Sequence, residues 1–465
     1  MNDPPARKAV VMTLVVCLAA CAQVPAKRAA DPLADVPAAW SDGSGQPRSG
    51  MTPLAQWWLR FHDPLLAALV TSALQSNTSI DGARAALRQA RALRDVSAAG
   101  LFPQLGGSAS AQRGKTGRNA AMNQFGVGMD ASWELDVFGA NRSAMDAGEA
   151  TMRASEASLA DIQVSSAAEV ALNYIALRGT QARLAIARDN LDSQLDTLQI
   201  TQWRRQAGLV SSLEVEQARG AAEQTRGQLP LLRTNIEQFR HALSVLTGQP
   251  PAALTGMLQV TGPVPTADET LALSIPADTL RQRPDVRAAQ WQLTAAVARV
   301  SQARAQRLPN FKLGGSLGLN ALTLGALGGG GALVTSLLAG VSVPLLDGGA
   351  GKAQVQSQQA ALDQSGAAYR ATVLGALKDV EDALAALQGD RDRLAALQLA
   401  AQAAGNAAAM ARQRYGSGLV DFQTVLETQR TLLGTQDAVA LLHADIGADH
   451  VRLYKALGGG WEPEA

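Results

Sequence analysis

Residues 125–135 decide the fold, and their sequence is Phe125-Gly-Val-Gly-Met-Asp-Ala-Ser-Trp-Glu-Leu135. Every second residue of this stretch is apolar, and the residues between them are small or polar. A period of two is typical of a β-strand with one apolar face. About ten residues of this pattern are typical of a strand in a membrane β-barrel. A soluble two-sided sheet is the alternative that the pattern leaves open.

Three further stretches alternate in the same way, at 311–320, at 333–343 and, more weakly, at 103–112. We therefore predict two β-hairpins, at about 103–135 and about 309–345. Four strands cannot close a membrane barrel, which needs about eight, and an open strand edge cannot lie in lipid. The sequence therefore predicts one barrel shared by several chains. Two chains would supply eight strands, and three chains would supply twelve.

The chain repeats itself at a spacing of about 210 residues. The tripeptide Gly-Leu-Val at 208–210 returns at 418–420, and Val215 returns as Val425. Such a duplication is a property of the whole fold, because each copy must share a core with the other. We predict one pseudo-symmetric body with a first repeat at 57–260 and a second at 261–465.

Long helical segments follow the hairpins. Residues 141–207 contain no proline, and at 1.5 Å per residue they could reach roughly 100 Å. Leu177 and Leu184 belong to a heptad series, which is typical of coiled coils. Gly208 and Gly418 follow these segments, where we predict turns between antiparallel helices. The predicted fold class is a mixed α+β membrane protein, in which a β-barrel is continued by a helical tube.

The N-terminus is typical of a bacterial lipoprotein. A basic n-region precedes an apolar stretch at 9–20 that is too short to span a bilayer. The box Leu-Ala-Ala ends at Cys21, and Ala22 rather than Asp follows it, which in such lipoproteins indicates sorting to the outer membrane. We predict a signal peptide at 1–20, acylation (palmitate) of Cys21 and a lipid-anchored tether at 21–56. An ordinary signal peptide with a chance cysteine is the alternative.

Catalytic and cofactor chemistry finds no support in the sequence. The net charge of +1 gives no basis for nucleic-acid binding. Gly314-Gly-Ser-Leu-Gly318 fits a nucleophile motif, but it lies inside an alternating strand rather than at a strand–turn–helix junction. The four histidines show no metal-ligand spacing. We predict that the protein is not an enzyme and uses no cofactor and no metal.

Four motifs resemble the TolC-like outer-membrane efflux factors, specifically their NodT-type lipoprotein branch. They are Trp57-Trp58 with Asp63-Pro64, then residues 133–139, 281–286 and 454–461. The resemblance covers essentially the whole mature chain. It implies a homotrimer with a twelve-stranded outer-membrane barrel and a periplasmic α-helical barrel. It also implies docking to a periplasmic membrane-fusion adaptor and an inner-membrane RND pump, whose small-molecule substrates the channel passively exports.

The resemblance also implies a gate at the periplasmic end. Matched from the two turn glycines, the gate tyrosine falls on Tyr415 and its acidic partner on Glu214. One aperture carboxylate falls on Glu427. The second expected aspartate falls on Thr424 and is therefore absent, and we interpret Asp421, one turn before Thr424, as its substitute. The family's gate arginine also has no match, because Val420 stands at its position.

Two other functions remain open at this stage. One is an outer-membrane duct for type I protein secretion, and the other is a non-porous, lipid-anchored coiled-coil scaffold in the periplasm. The amphipathic strands argue against the scaffold, because a scaffold has no use for an apolar stripe that faces lipid. The lipid anchor and the NodT-type motifs favour small-molecule efflux over protein secretion.

Overall fold

A computed structural model describes residues 37, 39–41, 54–115, 117, 121–267 and 276–461. The predicted signal peptide, Cys21 and most of the predicted tether lie outside these residues. The helices are α1 (Pro64–Ser76), α2 (Thr78–Ala99), α3 (Ala140–Gln206), α4 (Ser212–Leu246), α5 (Pro276–Gln282), α6 (Pro284–Ala305), α7 (Ala350–Gly416) and α8 (Phe422–Ala456). The strands are β1 (Gln104–Gly114), β2 (Met122–Leu135), β3 (Asn310–Ala321) and β4 (Leu333–Ser342).

The two repeats contain helices of equal length. Helices α3 and α7 each have 67 residues, and α4 and α8 each have 35. Among the described helices, none combines the length and the apolar character that crossing a membrane requires. Short 3-10 helices precede α1, at Trp57–Phe61, and lie between β3 and β4, at Leu324–Gly328.

The chain forms two compact units. The described part of the first unit comprises Ala86–Glu156 and Ala288–Ala371 and includes all four strands. The second unit comprises the described residues within Leu33–Ala85, Ala157–Arg287 and Thr372–Ala465. Each unit takes residues from both repeats, so the two copies of the duplication share each core.

The four strands form one antiparallel sheet in the order β1-β2-β3-β4. The central pairing joins the two hairpins, with Val127 opposite Leu319 and Met129 opposite Leu317. One face of the sheet carries large apolar side chains that are exposed in the single chain: Leu105, Val127, Met129, Leu317, Leu333, Leu337 and Val341. Within the described residues, β1 and β4 each pair on one side only. Both outer edges are therefore open for strands of other chains.

The opposite face of the sheet is small and polar over most of its area. Ser108, Asp130, Ser316 and Ser336 lie on it, and the hydroxyl oxygens of Ser316 and Ser336 are 2.7 Å apart. Three exposed apolar side chains are exceptions on this face: Met122 on β2, and Val334 and Leu338 on β4. An apolar face and a polar face on one sheet match a barrel wall between lipid and water.

An aspartate joins the end of β2 to the long helix α3. Asp136 Oδ1 accepts the backbone N–H of Asn141 at 3.0 Å, and its Oδ2 accepts that of Arg142 at 2.7 Å. The first N–H groups of a helix lack partners within the helix, so this carboxylate satisfies two of them. Just before it, Trp133 Nε1 donates to the Leu101 carbonyl at 3.0 Å. The motif at 133–139 therefore forms the strand-to-helix junction.

The other family-like motifs lie in the core of the second unit. The rings of Trp57 and Tyr454 stack at a centroid distance of 5.6 Å, and both residues are fully buried. The guanidinium of buried Arg283 donates to the Ala456 carbonyl at 3.0 Å and to Asp285 at 2.7 Å. These motifs therefore hold the chain segments before α1 and α6 against the end of α8.

The long helices pack closely because the residues between them are small. A Cβ atom on Gly179 of α3 would lie only 2.7 Å from the Cβ of Ala444 on α8. Heptad leucines Leu177, Leu184 and Leu387 are buried, as the coiled-coil pattern predicts.

Candidate functional site at the helix reversals

Two tight turns reverse the chain between α3 and α4 and between α7 and α8. Gly208 and Gly418 each have φ of 75°, the left-handed region that glycine adopts without strain. The N–H of Leu209 donates to the Arg204 carbonyl at 2.8 Å, and the N–H of Leu419 makes the equivalent bond at 2.9 Å. These bonds form a Schellman-type C-cap, which ends the first helix of each pair and lets the second begin. The structure thus places both glycines at helix reversals.

Glu214 lies in the first turn of α4, directly after the first reversal. Its Oε2 accepts the backbone N–H of Ser211 at 2.7 Å, which forms a capping box with the Ser211 side chain. The carboxylate is half-buried and lies at the positive end of the helix dipole. Glu214 therefore has a local partner within its own chain.

Asp421 caps α8 in the second repeat, at the position that Ser211 occupies in the first. Its Oδ1 accepts the N–H of Thr424 at 2.9 Å and the Thr424 hydroxyl at 2.6 Å. These hydrogen bonds, the hydroxyl first, lower the pKa of the Asp421 carboxyl below its usual value. The residue is exposed, so it presents a fixed negative charge to solvent at this reversal.

Tyr415 ends the second long helix and is buried, with only 3% of its surface exposed. Its ring meets that of Phe422 edge-on at a centroid distance of 5.8 Å. It belongs to an apolar cluster with Ala218, Ala221, Ala411, Phe422, Val425 and Leu426. Its hydroxyl makes no hydrogen bond within the described part of the chain. The structure therefore does not bring Tyr415 and Glu214 into the predicted hydrogen bond, and their latch stays a prediction.

Arg204 is the functional candidate that the sequence did not reveal. Its Nη1 donates to the Tyr415 carbonyl, and its guanidinium carbon lies 4.5 Å from the centroid of the Tyr415 ring. The local signal was only a basic residue in the last turn of α3, which is common at helix C-termini. A basic residue at the end of α3 does not by itself predict that Arg204 contacts Tyr415 in the other repeat.

Glu427 is exposed on α8, six residues or about 1.7 helical turns beyond Asp421. Both carboxylates therefore reach solvent at the second reversal. Among the described residues, no group of three or more His, Cys, Asp or Glu side chains is arranged to hold a metal ion.

A polar seam joins α3 to α8 above the reversals. We define it by three pairs of side chains: Arg183 with Asp437, Asn190 with Gln436, and Thr197 with Gln429. The hydrogen bonds that the Asn190 and Gln429 side-chain amides donate in two of these pairs measure 2.9 Å each. The seam therefore fixes the register between α3, the first long helix of the first repeat, and α8, the last helix of the second.

An amphipathic sheet with two open edges, joined to paired long helices that reverse at tight turns, defines the class of outer-membrane channel proteins. The profile of the outer membrane efflux protein family matches residues 69–249 and 275–459. The chain belongs to this family. The predicted resemblance is thereby confirmed.

Individual relatives agree with the family. The chain is 31% identical to the solvent efflux pump outer membrane protein SrpC of Pseudomonas putida, over 98% of each protein. It is 29% identical to nodulation protein T of Rhizobium leguminosarum bv. viciae, over 93% of this chain and 89% of that one. The solved outer-membrane channel OprN superposes with a TM-score of 0.87 at 34% identity, over 95% of this chain and 100% of that one.

These similarities confirm several predictions. The fold class is that of the trimeric TolC-like channels, with four strands per chain and long periplasmic helices. The location is the outer membrane, with extension into the periplasm. The function is that of an outer-membrane exit duct, which works with a periplasmic adaptor and an inner-membrane pump.

Proposed function

We propose that three copies of this chain form a passive exit duct for small molecules, driven by an RND-type pump. The observation that supports it is the four-stranded sheet with an apolar face and two open edges. Open edges are not tolerated in lipid, so strands of neighbouring copies must pair with β1 and β4. A closed ring of identical chains satisfies this condition without leaving any edge.

The substrate class follows from the relatives. One is named for solvent efflux and another for pyoverdine export. Both are small molecules, which favours small-molecule efflux over type I protein secretion. The energy for transport belongs to the partner pump, so we infer that the duct itself carries out no catalysis and needs no cofactor. A non-porous scaffold would leave the apolar face of the sheet without a purpose.

We further propose that the chain is anchored by acylated Cys21 and closed at the helix reversals. Tyr415 and Glu214 are proposed gate residues, and Asp421 and Glu427 are proposed to line the aperture. The exposure of both aperture carboxylates and the helix-capping role of Asp421 support this assignment. The assignment is also supported by position, because all four residues lie near the reversals at Gly208 and Gly418 in the sequence.

A pair of arginine substitutions tests the orientation of the sheet. Leu337 is 82% exposed on the apolar face, and its neighbour Ser336 lies on the polar face. A cation on the lipid face of a barrel costs about 2–4 kcal/mol near the membrane midplane. Leu337→Arg should therefore reduce the amount of trimer in the outer membrane, and Ser336→Arg should not. Wild-type protein should conduct ions in a planar bilayer; equal loss of trimer in both variants, or no conductance, contradicts the duct.

A further inference from the structure

We propose that Arg204 is a positioning residue that holds the periplasmic aperture closed by fixing Tyr415, an inference that rests on the proposed duct. We call the contact between these two residues the Arg204 bridge. It links the end of α3 in the first repeat to the end of α7 in the second. The two residues are 211 positions apart in the sequence.

The bridge has two parts. The Arg204 Nη1 group donates a hydrogen bond to the backbone carbonyl of Tyr415. The same guanidinium lies over the face of the Tyr415 ring, 4.5 Å from its centroid. A cation over an aromatic face is attracted by the ring's quadrupole, and more strongly where water is excluded. One side chain therefore holds both the backbone and the ring of the tyrosine.

The surroundings of the bridge favour its stability. Tyr415 is almost fully buried, and Arg204 Nε is shielded from solvent without a hydrogen-bond partner in the described part of the chain. The guanidinium lies at the carboxyl end of α7, where the helix dipole favours positive charge. It also reaches the second reversal, because Nη2 would lie 3.8 Å from a Cβ placed on Gly418.

Lysine could replace only part of the contact that this arginine makes. A guanidinium is planar, so it can stack on a ring while its edge donates to a carbonyl, whereas an ammonium group is a compact point charge. The position that the resemblance assigns to a gate arginine holds Val420. Arg204 supplies a guanidinium to the same reversal from the other repeat.

The bridge opposes separation of the two helical pairs. The α3–α4 pair carries Arg204, and the α7–α8 pair carries Tyr415 together with the exposed carboxylates Asp421 and Glu427. Any movement that separates the two reversals must break the carbonyl bond and the ring contact together. The hydroxyl of Tyr415 has no hydrogen-bond partner among the described residues, so the two contacts of the bridge are made without it.

Three variants and two measurements test the bridge. Arg204→Gln removes charge and stacking, and Arg204→Lys retains only the charge. Arg205→Gln is the matched control, because Arg205 is the exposed neighbour in the same helical turn. Single-channel recording in planar bilayers measures the open fraction of purified trimers. Hydrogen exchange of the amides at 415–419 measures loosening of the second reversal.

We expect the open fraction to rise about fivefold or more in Arg204→Gln, because losing one such contact changes a two-state ratio by about this factor. Arg204→Lys should recover only part of the closure, and Arg205→Gln should behave as wild type. Of the two glutamine variants, only Arg204→Gln should show faster exchange at 415–419.

Other outcomes distinguish failure of the bridge proposal from failure of the duct proposal. Equal open fractions and equal exchange in the two glutamine variants would overturn the bridge while leaving the duct intact. An open channel in Tyr415→Phe/Glu214→Gln, with no change in Arg204→Gln, would assign closure to the tyrosine–glutamate latch and overturn the bridge. If no protein conducts but exchange accelerates in Arg204→Gln alone, the duct is overturned and the contact between the reversals is upheld.

Discussion

Arg183 and Asp437 form a two-bond ion pair between α3 and α8, with Nε–Oδ1 at 2.7 Å and Nη2–Oδ2 at 3.0 Å. Both side chains are about one-third exposed, so solvent screens the pair. We expect a coupling energy of about 1 kcal/mol in a double-mutant cycle with Arg183→Leu and Asp437→Asn. Denaturant unfolding of the purified trimer in detergent measures it.

The chain offers a matched control for this cycle. Arg219 and Glu216 pair at 3.0 Å within α4, where both side chains are about half exposed or more. A pair within one helix contributes only about 0.3–0.5 kcal/mol. A coupling energy for Arg183–Asp437 no larger than that of the control would show that the seam does not hold the two helices together.

Asp449 should make the stability of the protein depend on pH. Its side chain is buried, with Oδ1 at 2.6 Å from Arg452 and Oδ2 without a hydrogen-bond partner in the described residues. Burial raises the pKa of this carboxyl above its ordinary 3.8, and the nearby charges of Asp390 and Asp445 add to the rise. A raised pKa means that the folded state binds the proton more tightly than the unfolded state.

The free energy of unfolding should therefore fall as pH rises from about 3.8 through the raised pKa of Asp449. Asp449→Asn removes this loss, so the variant should unfold at a higher temperature than wild type at pH 7. The difference should shrink as the pH is lowered. Exposed Asp189→Asn is the control and should show neither effect. A variant with lower stability than wild type at pH 7 would show that the Arg452 contact outweighs the cost of burying the charge.

Trp40 should fix the N-terminal segment to the second unit. Its ring is 3% exposed and packs in a cluster with Val380, Leu387 and Leu453, and the Ser41 N–H donates to Glu381 at 3.0 Å. Burying a large apolar side chain contributes about 1.5–3 kcal/mol. Trp40→Ala should therefore accelerate hydrogen exchange of the Ser41 amide by about tenfold or more.

The control for the Trp40 experiment is Trp203→Ala, because Trp203 is 60% exposed. The exchange rate of its Ser41 amide should equal that of wild type. If the Ser41 amide of Trp40→Ala exchanges no faster than that of this control, the contact of Trp40 with α7 and α8 does not restrain residues 39–41.

Cys21 should be the first residue of the mature protein and should carry acyl chains. The Leu-Ala-Ala-Cys box and the absence of a second cysteine after cleavage motivate this prediction. Two acyl signals are needed for stable membrane attachment by lipid alone. Mass measurement of the N-terminal peptide from membrane-extracted protein should show a chain that begins at Cys21 and carries the mass of the lipid. A mature terminus at another residue would remove the lipid anchor, and Cys21→Ser serves as the unlipidated reference.

Local patterns predicted the elements of this fold but not the contacts between its repeats. Alternation located the four strands, and the glycines at 208 and 418 marked the two reversals, because period and backbone conformation are set by neighbouring residues. The Arg204 bridge was missed because it joins residues 211 positions apart. Trp40 was assigned only to a tether, since no local signal shows that α7 and α8 form its binding surface. The resemblance implied Tyr415 as the hydrogen-bond partner of Glu214, but within the described chain Glu214 accepts a hydrogen bond from its neighbour Ser211.

Charge at the aperture should make the channel selective for cations. Glu427 and Asp421 are exposed, and three copies of each around an axis would form rings of negative charge. Hydrogen bonds from Thr424 lower the pKa of Asp421. The three Asp421 carboxylates around the axis should therefore keep their charge at mildly acidic pH. Such rings favour cations in a narrow opening, and salt weakens the effect because the Debye length is about 8 Å at physiological ionic strength.

Reversal potentials across a salt gradient measure this selectivity. Glu427→Gln should reduce the preference for cations without loss of stability. Asp421→Asn should also reduce the preference for cations, because it removes the charge, but it should keep stability, because asparagine still caps the helix. Asp421→Ala should reduce the preference and in addition cost about 1 kcal/mol of stability. The exposed Glu223→Gln on α4 is the control and should leave the reversal potential unchanged. Glu427 would lie away from the opening if the wild-type channel were selective for anions, or if Glu427→Gln had the same reversal potential as wild type.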